Sequence, residues 1–167
     1  MGPTDTSLAI IGNGLSALVL AATLRKHDFA GEITIFGKEG LPPYDRVPLS
    51  KELLTSPELR LLEKDLNQDL RTLATNHLPA QEVLEICLPP ELTSSGVGED
   101  SDATVLRVRT KAASYNFDYV FLATGAQPLT WPAPQMFPLH THADASVIRQ
   151  QLQEIDKATP VVVVGAG

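Results

Sequence analysis

The strongest constraint on this chain lies near its start, where the apolar run Ser7-Leu8-Ala9-Ile10-Ile11 breaks into Gly12-Asn13-Gly14-Leu15-Ser16-Ala17. A short apolar run bounded by a glycine turn predicts a strand buried on both faces. Residues 14–27 are helix formers, with Leu15, Leu18, Val19 and Ala22 at helical spacing and Arg25-Lys26-His27 placing positive charge at the C-terminal end. After a turn over 28–31, Glu32-Ile33-Thr34-Ile35-Phe36 reads as a second strand, closed by Gly37. Strand, helix and strand within about 30 residues make a β-α-β unit whose two strands run parallel.

The turn fits the pattern G-x-G-x-x-G/A in the context that gives this pattern meaning, after a strand and at the start of a helix. Gly12 permits the tight turn, Gly14 lets backbone approach a pyrophosphate, and the small Ala17 allows helix to pack closely on strand. The unpaired amides of the helix start, from Leu15 and Ser16 onward, then face the phosphate charge. A dinucleotide site of this kind expects an acid about 20 residues further on for a ribose hydroxyl. Glu39 stands at that distance, although Gly37 occupies the position directly after the strand, and a solvated loop glutamate is the alternative. Near the other end, Val161-Val162-Val163-Val164 reads as a buried strand leading into Gly165-Ala166-Gly167, again a strand followed by G-x-G, so Gly165 and Gly167 are expected to open a second dinucleotide turn.

Between these turns, residues 40–50 are Pro-rich and read as a loop, and 49–54 as a short helix with Lys51 and Glu52 outward. Leu59, Leu62, Leu66, Leu70 and Leu73 form the stripe of an amphipathic helix, with Ser56 as N-cap and Pro57 in its first turn. Residues 83–88 read as a strand and 94–102 as a polar loop. Residues 104–110 alternate apolar and polar, and 115–122 follow closely enough to form a hairpin with them, ending in Ala123-Thr124-Gly125. Pro128, Pro132, Pro134 and Pro138 mark an extended connection, and 143–155 read as a helix.

Composition narrows the function. The 167 residues are 43% apolar and 20% charged with net charge −7, and residues 52–102 alone hold eleven acidic against three basic side chains. That balance, with no basic stripe interleaved with aromatics, argues against a nucleic-acid binder. The lone Cys87 excludes an internal disulfide, a C-x-x-C pair and a cysteine zinc site, and sets a reducing, cytoplasmic location as the expectation. Residues 8–24 lack a basic leader and are cut by the glycine turn, so neither a signal peptide nor a membrane span is expected. His140 and His142 lack the further ligands a metal site needs.

Two dinucleotide turns about 150 residues apart with an Ala-Thr-Gly turn between them resemble the FAD- and NAD(P)-dependent pyridine nucleotide oxidoreductases. The segment Leu41-Pro42-Pro43-Tyr44-Asp45-Arg46-Val47-Pro48-Leu49-Ser50-Lys51 is similar to the L-P-Y-D-R-P-P-L-S-K segment of the ferredoxin/rubredoxin reductase branch, which includes nitrite reductase large-subunit N-termini and apoptosis-inducing-factor-like proteins. Val47 departs from the usual proline. The resemblance implies that Arg46 helps hold FAD and that Lys51 lies near the isoalloxazine N5, where a fixed ammonium favours the electron-rich flavin. It also implies that Ala123, Thr124 and Gly125 let backbone pass close to FAD, and that Val83 holds adenine through main-chain groups. His140-Thr141-His142-Ala143-Asp144-Ala145 resembles an L-R-T-x-x-D-A segment at the entry to the NAD domain. Members with a redox cysteine carry it near residues 44–51, where this chain has none, so electrons are expected to pass through flavin alone.

The expected architecture is therefore α/β, a Rossmann-like FAD-binding domain over 1–126 with a parallel sheet plus a β-hairpin or meander. A Pro-rich connection over 127–142 follows, and then the start of a second Rossmann unit over 143–167. The expected function is an FAD-dependent oxidoreductase passing electrons from NAD(P)H to a redoxin, haem or siroheme acceptor, present as an N-terminal portion. A nicotinamide-only dehydrogenase and a truncated or degenerate non-catalytic chain are the alternatives.

Overall fold

In the computed structural model, residues 5–74, 76–88, 105–130 and 133–165 are described. They divide into two compact units, one of Met1–Asp45 with Arg60–Ala126 and one of Arg46–Leu59 with Gln127–Gly167.

The first unit is built on strand β1 (Ser7–Ile11), helix α1 (Leu15–Lys26) and strand β2 (Glu32–Phe36), the β-α-β unit expected from the sequence. Strands β3 (Asn76–Leu78) and β7 (Tyr119–Leu122) complete a four-stranded parallel sheet in the order β3-β2-β1-β7. Strands β4 (Val83–Cys87), β5 (Leu106–Thr110) and β6 (Ser114–Phe117) form a separate antiparallel sheet in that order. Period-two alternation then sorts the side chains of the central strands. Leu8, Ile10, Ile33 and Ile35 pack with Ala17, Leu18 and Ala21 of α1 and with Leu62, Leu70 and Leu73, whereas Ala9, Ile11 and Phe36 pack with Val108 and Phe117 of the antiparallel sheet. Phe36 meets Phe117 edge to face, with centroids 5.9 Å apart at 90°.

Three sequence expectations are corrected. The single helix anticipated from the leucine stripe is two short helices, α3 (Leu62–Leu66) and α4 (Leu70–Leu73). Asn67 turns left-handed at φ 50° and Asp69 caps α4 by accepting the Arg71 amide, so the chain bends while Leu62, Leu70 and Leu73 still reach the core. The strand expected over 115–122 breaks at Asp118, and its halves join different sheets. Residues 161–164 pair with no strand among the described residues and lie 59–84% exposed rather than buried. The polar loop expected over 94–102 lies outside the described residues.

In the second unit, a 3₁₀ turn (Val47–Ser50) and helix α2 (Glu52–Thr55) pack against helix α5 (His142–Glu154). Thr141 and Asp144 form a reciprocal capping box at the start of α5, which accounts physically for the T-x-x-D pattern read from the sequence.

Asp118 joins strand ends distant in sequence, accepting the Ser7 amide at 2.7 Å and the Ser7 hydroxyl at 2.8 Å. The backbone bond and then the hydroxyl bond hold its carboxyl below the ordinary aspartate range. A depressed carboxyl contributes stability above its unfolded-state pKa and loses it as pH falls through the folded value. Asp118→Asn should therefore melt below wild type at pH 7, with the gap narrowing as pH falls below about 4, the ordinary aspartate value. Thermal melts at several pH values check this, and a gap unchanged in acid would contradict it.

Candidate functional site

Strands β1 and β7 are parallel neighbours, yet the chain runs from β1 outward through β2 and β3 before returning to the other side of β1 at β7. That reversal makes the β1–β7 pair a switch point of the sheet, and open α/β sheets bind ligands in the crevice outside the carboxyl ends of such strands. Both small-residue turns of the first unit begin there, Gly12–Ala17 after β1 and Ala123–Gly125 after β7.

The turns are fixed by backbone bonds. The Gly12 amide donates to the Phe36 carbonyl at 2.9 Å, and the Ala123 amide to the Ile11 carbonyl at 2.7 Å. Gly12 has φ 122°, and a Cβ there would overlap the Ala123 carbonyl. Gly14 is different in kind: it caps α1 with ordinary extended backbone, and a Cβ on it would meet nothing within 4 Å. No side chain caps α1 and its first turn holds no acid. The first turn of this 12-residue helix thus carries neither a capping side chain nor an acid of its own to compete for its N-terminal amides. Ala17 is buried against the sheet, while Leu15 and Ser16 are exposed. Across the crevice mouth, Thr124 and Gly125 are exposed and Gly125 has φ 69° with open space around it. These features fit the pyrophosphate of a dinucleotide and the close passage of its chain.

Glu39 is half-buried beyond β2, and the Tyr44 hydroxyl donates to its Oε2 at 2.6 Å, which orients the carboxylate. Gly37 precedes it because a Cβ there would press on the Asn13 side chain at 2.8 Å. Val83 sits at the start of β4, an edge strand, with its side chain in the inter-sheet core and its register irregular between Val83 and Glu85. In the second unit, the Arg46 guanidinium donates to the His140 carbonyl at 2.6 Å, and Lys51 is exposed at the junction of the 3₁₀ turn and α2. Gly165 has φ 100°, and Gly167 lies outside the described residues.

Sequence reading missed two residues at this site. Asn13, the variable position between the two glycines, donates through Nδ2 to the Leu41 carbonyl at 2.7 Å and meets His77 Nε2 at 3.0 Å. Burial holds the His77 pKa below its ordinary value, against a smaller opposing effect of the Glu63 carboxylate. An amide-bearing side chain inside a glycine turn was the available signal for Asn13. Nothing local marks His77, which lies 64 positions away. His77 also lines a cavity of about 580 Å³ with Glu63, Lys64, Asp69 and Arg71, whose charges balance and which includes no residue of the glycine turns.

The two glycines should separate fold from binding. Gly12→Ala is expected to cost about 3 kcal/mol, from positive φ and overlap with backbone. Gly14→Ala should cost less than about 1 kcal/mol, the scale of a capping change. Urea denaturation midpoints check both, and equal losses would contradict this account of the turn.

Comparison with known proteins agrees with this geometry. The pyridine nucleotide-disulphide oxidoreductase family matches residues 6–167. The crystal structure of Fdr9 is 28% identical, covering 88% of this chain and 33% of that one, with a TM-score of 0.69. The ferredoxin reductase for the CYP199A2 system from Rhodopseudomonas palustris is 21% identical over 90% of this chain and 35% of its own, with a TM-score of 0.67. A NAD-dependent persulfide reductase from A. fulgidus shares the fold at 17% identity and a TM-score of 0.61, covering 89% of this chain and 28% of that one. The chain thus spans about a third of the length of these solved proteins. No helix among the described residues is long and apolar enough to cross a membrane. The crevice at the β1–β7 reversal and the match over nearly the whole chain lead to one conclusion: the chain belongs to the pyridine nucleotide-disulphide oxidoreductase family, whose cofactors are FAD and NAD(P)H.

Proposed function

We propose that this chain is the FAD-binding portion of a ferredoxin-reductase-like flavoprotein that passes electrons from NAD(P)H to a one-electron acceptor of the redoxin, haem or siroheme class, in the cytoplasm. The observation that carries the reading is the open α1 N-terminus at Gly14, facing the crevice that Ala123–Gly125 also borders. The absence of cysteine from 41–51 favours flavin-only electron transfer over a thiol relay.

When bound, FAD supplies the step between a two-electron donor and a one-electron acceptor. The chain's own part is to hold and orient it. Gly12, Gly14, Leu15, Ser16 and Ala17 present backbone to the pyrophosphate, and Glu39, already oriented by Tyr44, accepts a ribose hydroxyl. Ala123, Thr124 and Gly125 let the cofactor pass close to backbone, and Val83 offers main-chain groups to adenine. The resemblance of the 41–51 segment adds Arg46 as a further anchor and Lys51 as a fixed positive charge near the flavin ring. Residues 1–126, 127–142 and 143–167 are proposed as FAD domain, connection and beginning of the NAD(P) domain, with Gly165 and Gly167 in the second dinucleotide turn.

The test is the visible spectrum of the purified chain after incubation with FAD and gel filtration. Wild type should retain the flavin bands, Gly14→Glu should lose them, and Arg46→Ala should weaken affinity about tenfold or more, as for a lost charge-assisted hydrogen bond. A wild-type chain that is folded by circular dichroism but emerges colourless would overturn the reading.

A further inference from the structure

We infer that His77, on the far edge strand of the parallel sheet, is a positioning residue for the phosphate-binding turn and acts through Asn13. The inference rests on the reading of that turn as the FAD site. Asn13 is the side chain between the two glycines, and three contacts hold it. Its Nδ2 donates to the Leu41 carbonyl at 2.7 Å, its Cβ lies where only Gly37 leaves room, and its Oδ1 meets His77 Nε2 at 3.0 Å.

Donor and acceptor logic fixes the direction of the last contact. A backbone carbonyl can only accept, so the group facing Leu41 is the amide nitrogen, and the group facing His77 is the amide oxygen. An oxygen acceptor requires that His77 carry its proton on Nε2. His77 on β3 pairs in register with Ile35 of β2, so it stands on the sheet rather than on a loop. The strut therefore ties the turn that presents the α1 amides to a rigid strand two positions away in the sheet. Binding that depends on a turn geometry held to within a fraction of an ångström weakens when such a support is removed.

Two measurements test this. Ring ¹⁵N shifts of the ligand-free chain should give the Nε2–H tautomer for His77, and Asn13→Ala should abolish that preference. FAD titration followed by flavin fluorescence should show His77→Phe weakening affinity about fivefold, the scale of one neutral hydrogen bond, and His77→Gln, whose amide can still donate to Asn13, remaining within about twofold of wild type. An Nδ1–H tautomer, or a His77→Phe variant with lowered Tm and unchanged FAD affinity, would overturn the inference while leaving the site reading intact. A wild-type chain that binds no FAD would overturn both.

Discussion

Everything in the first unit depends on the seating of β1, which pairs with β2 on one side and β7 on the other and is buried on both faces. Its carboxyl end can meet β7 only because Gly12 lacks a side chain where the Ala123 carbonyl comes in. That single approach brings the two turns together at the ends of their strands. On the proposed reading, stability and binding fall to different glycines of one motif, Gly12 closing the fold and Gly14 leaving the approach to the helix start clear.

The first turn of α1 holds no acid, and the Tyr44 hydroxyl orients the carboxylate of Glu39. Backbone amides fixed by the sheet cost no reorganisation when a phosphate arrives, which is the advantage of building the site on strand ends. The acidic excess of residues 52–102 falls partly on α3 and on the N-cap of α4, outside the glycine turns, where Asp69 caps a helix and pairs with Arg71.

Much of this was legible in the residue order. The β-α-β unit showed because apolar runs, a glycine turn and helical spacing all agree locally, and the same agreement placed the Gly12–Ala17 turn between β1 and α1. The leucine stripe misled because its spacing persists through a break that Asn67 and Asp69 impose, an αL turn and an N-cap hidden inside a helical rhythm. Residues 115–122 misled because the switch from one sheet to the other is decided by Asp118 bonding to Ser7, 111 positions away. The valines at 161–164 read as a buried strand from composition alone, but a strand needs a neighbour to pair with. The Asn13–His77 contact was invisible for the same reason: it exists only once β3 lies beside β2.

The central claim is that the α1 amides receive the pyrophosphate of FAD in the crevice at the β1–β7 reversal. The most direct measurement is an amide ¹H–¹⁵N shift map of the chain titrated with FAD. The account predicts the largest changes at Leu15, Ser16 and Ala17, together with Thr124 and Gly125. Changes confined to the cavity wall at Lys64 and Arg71, with the glycine-turn amides unmoved, would contradict it.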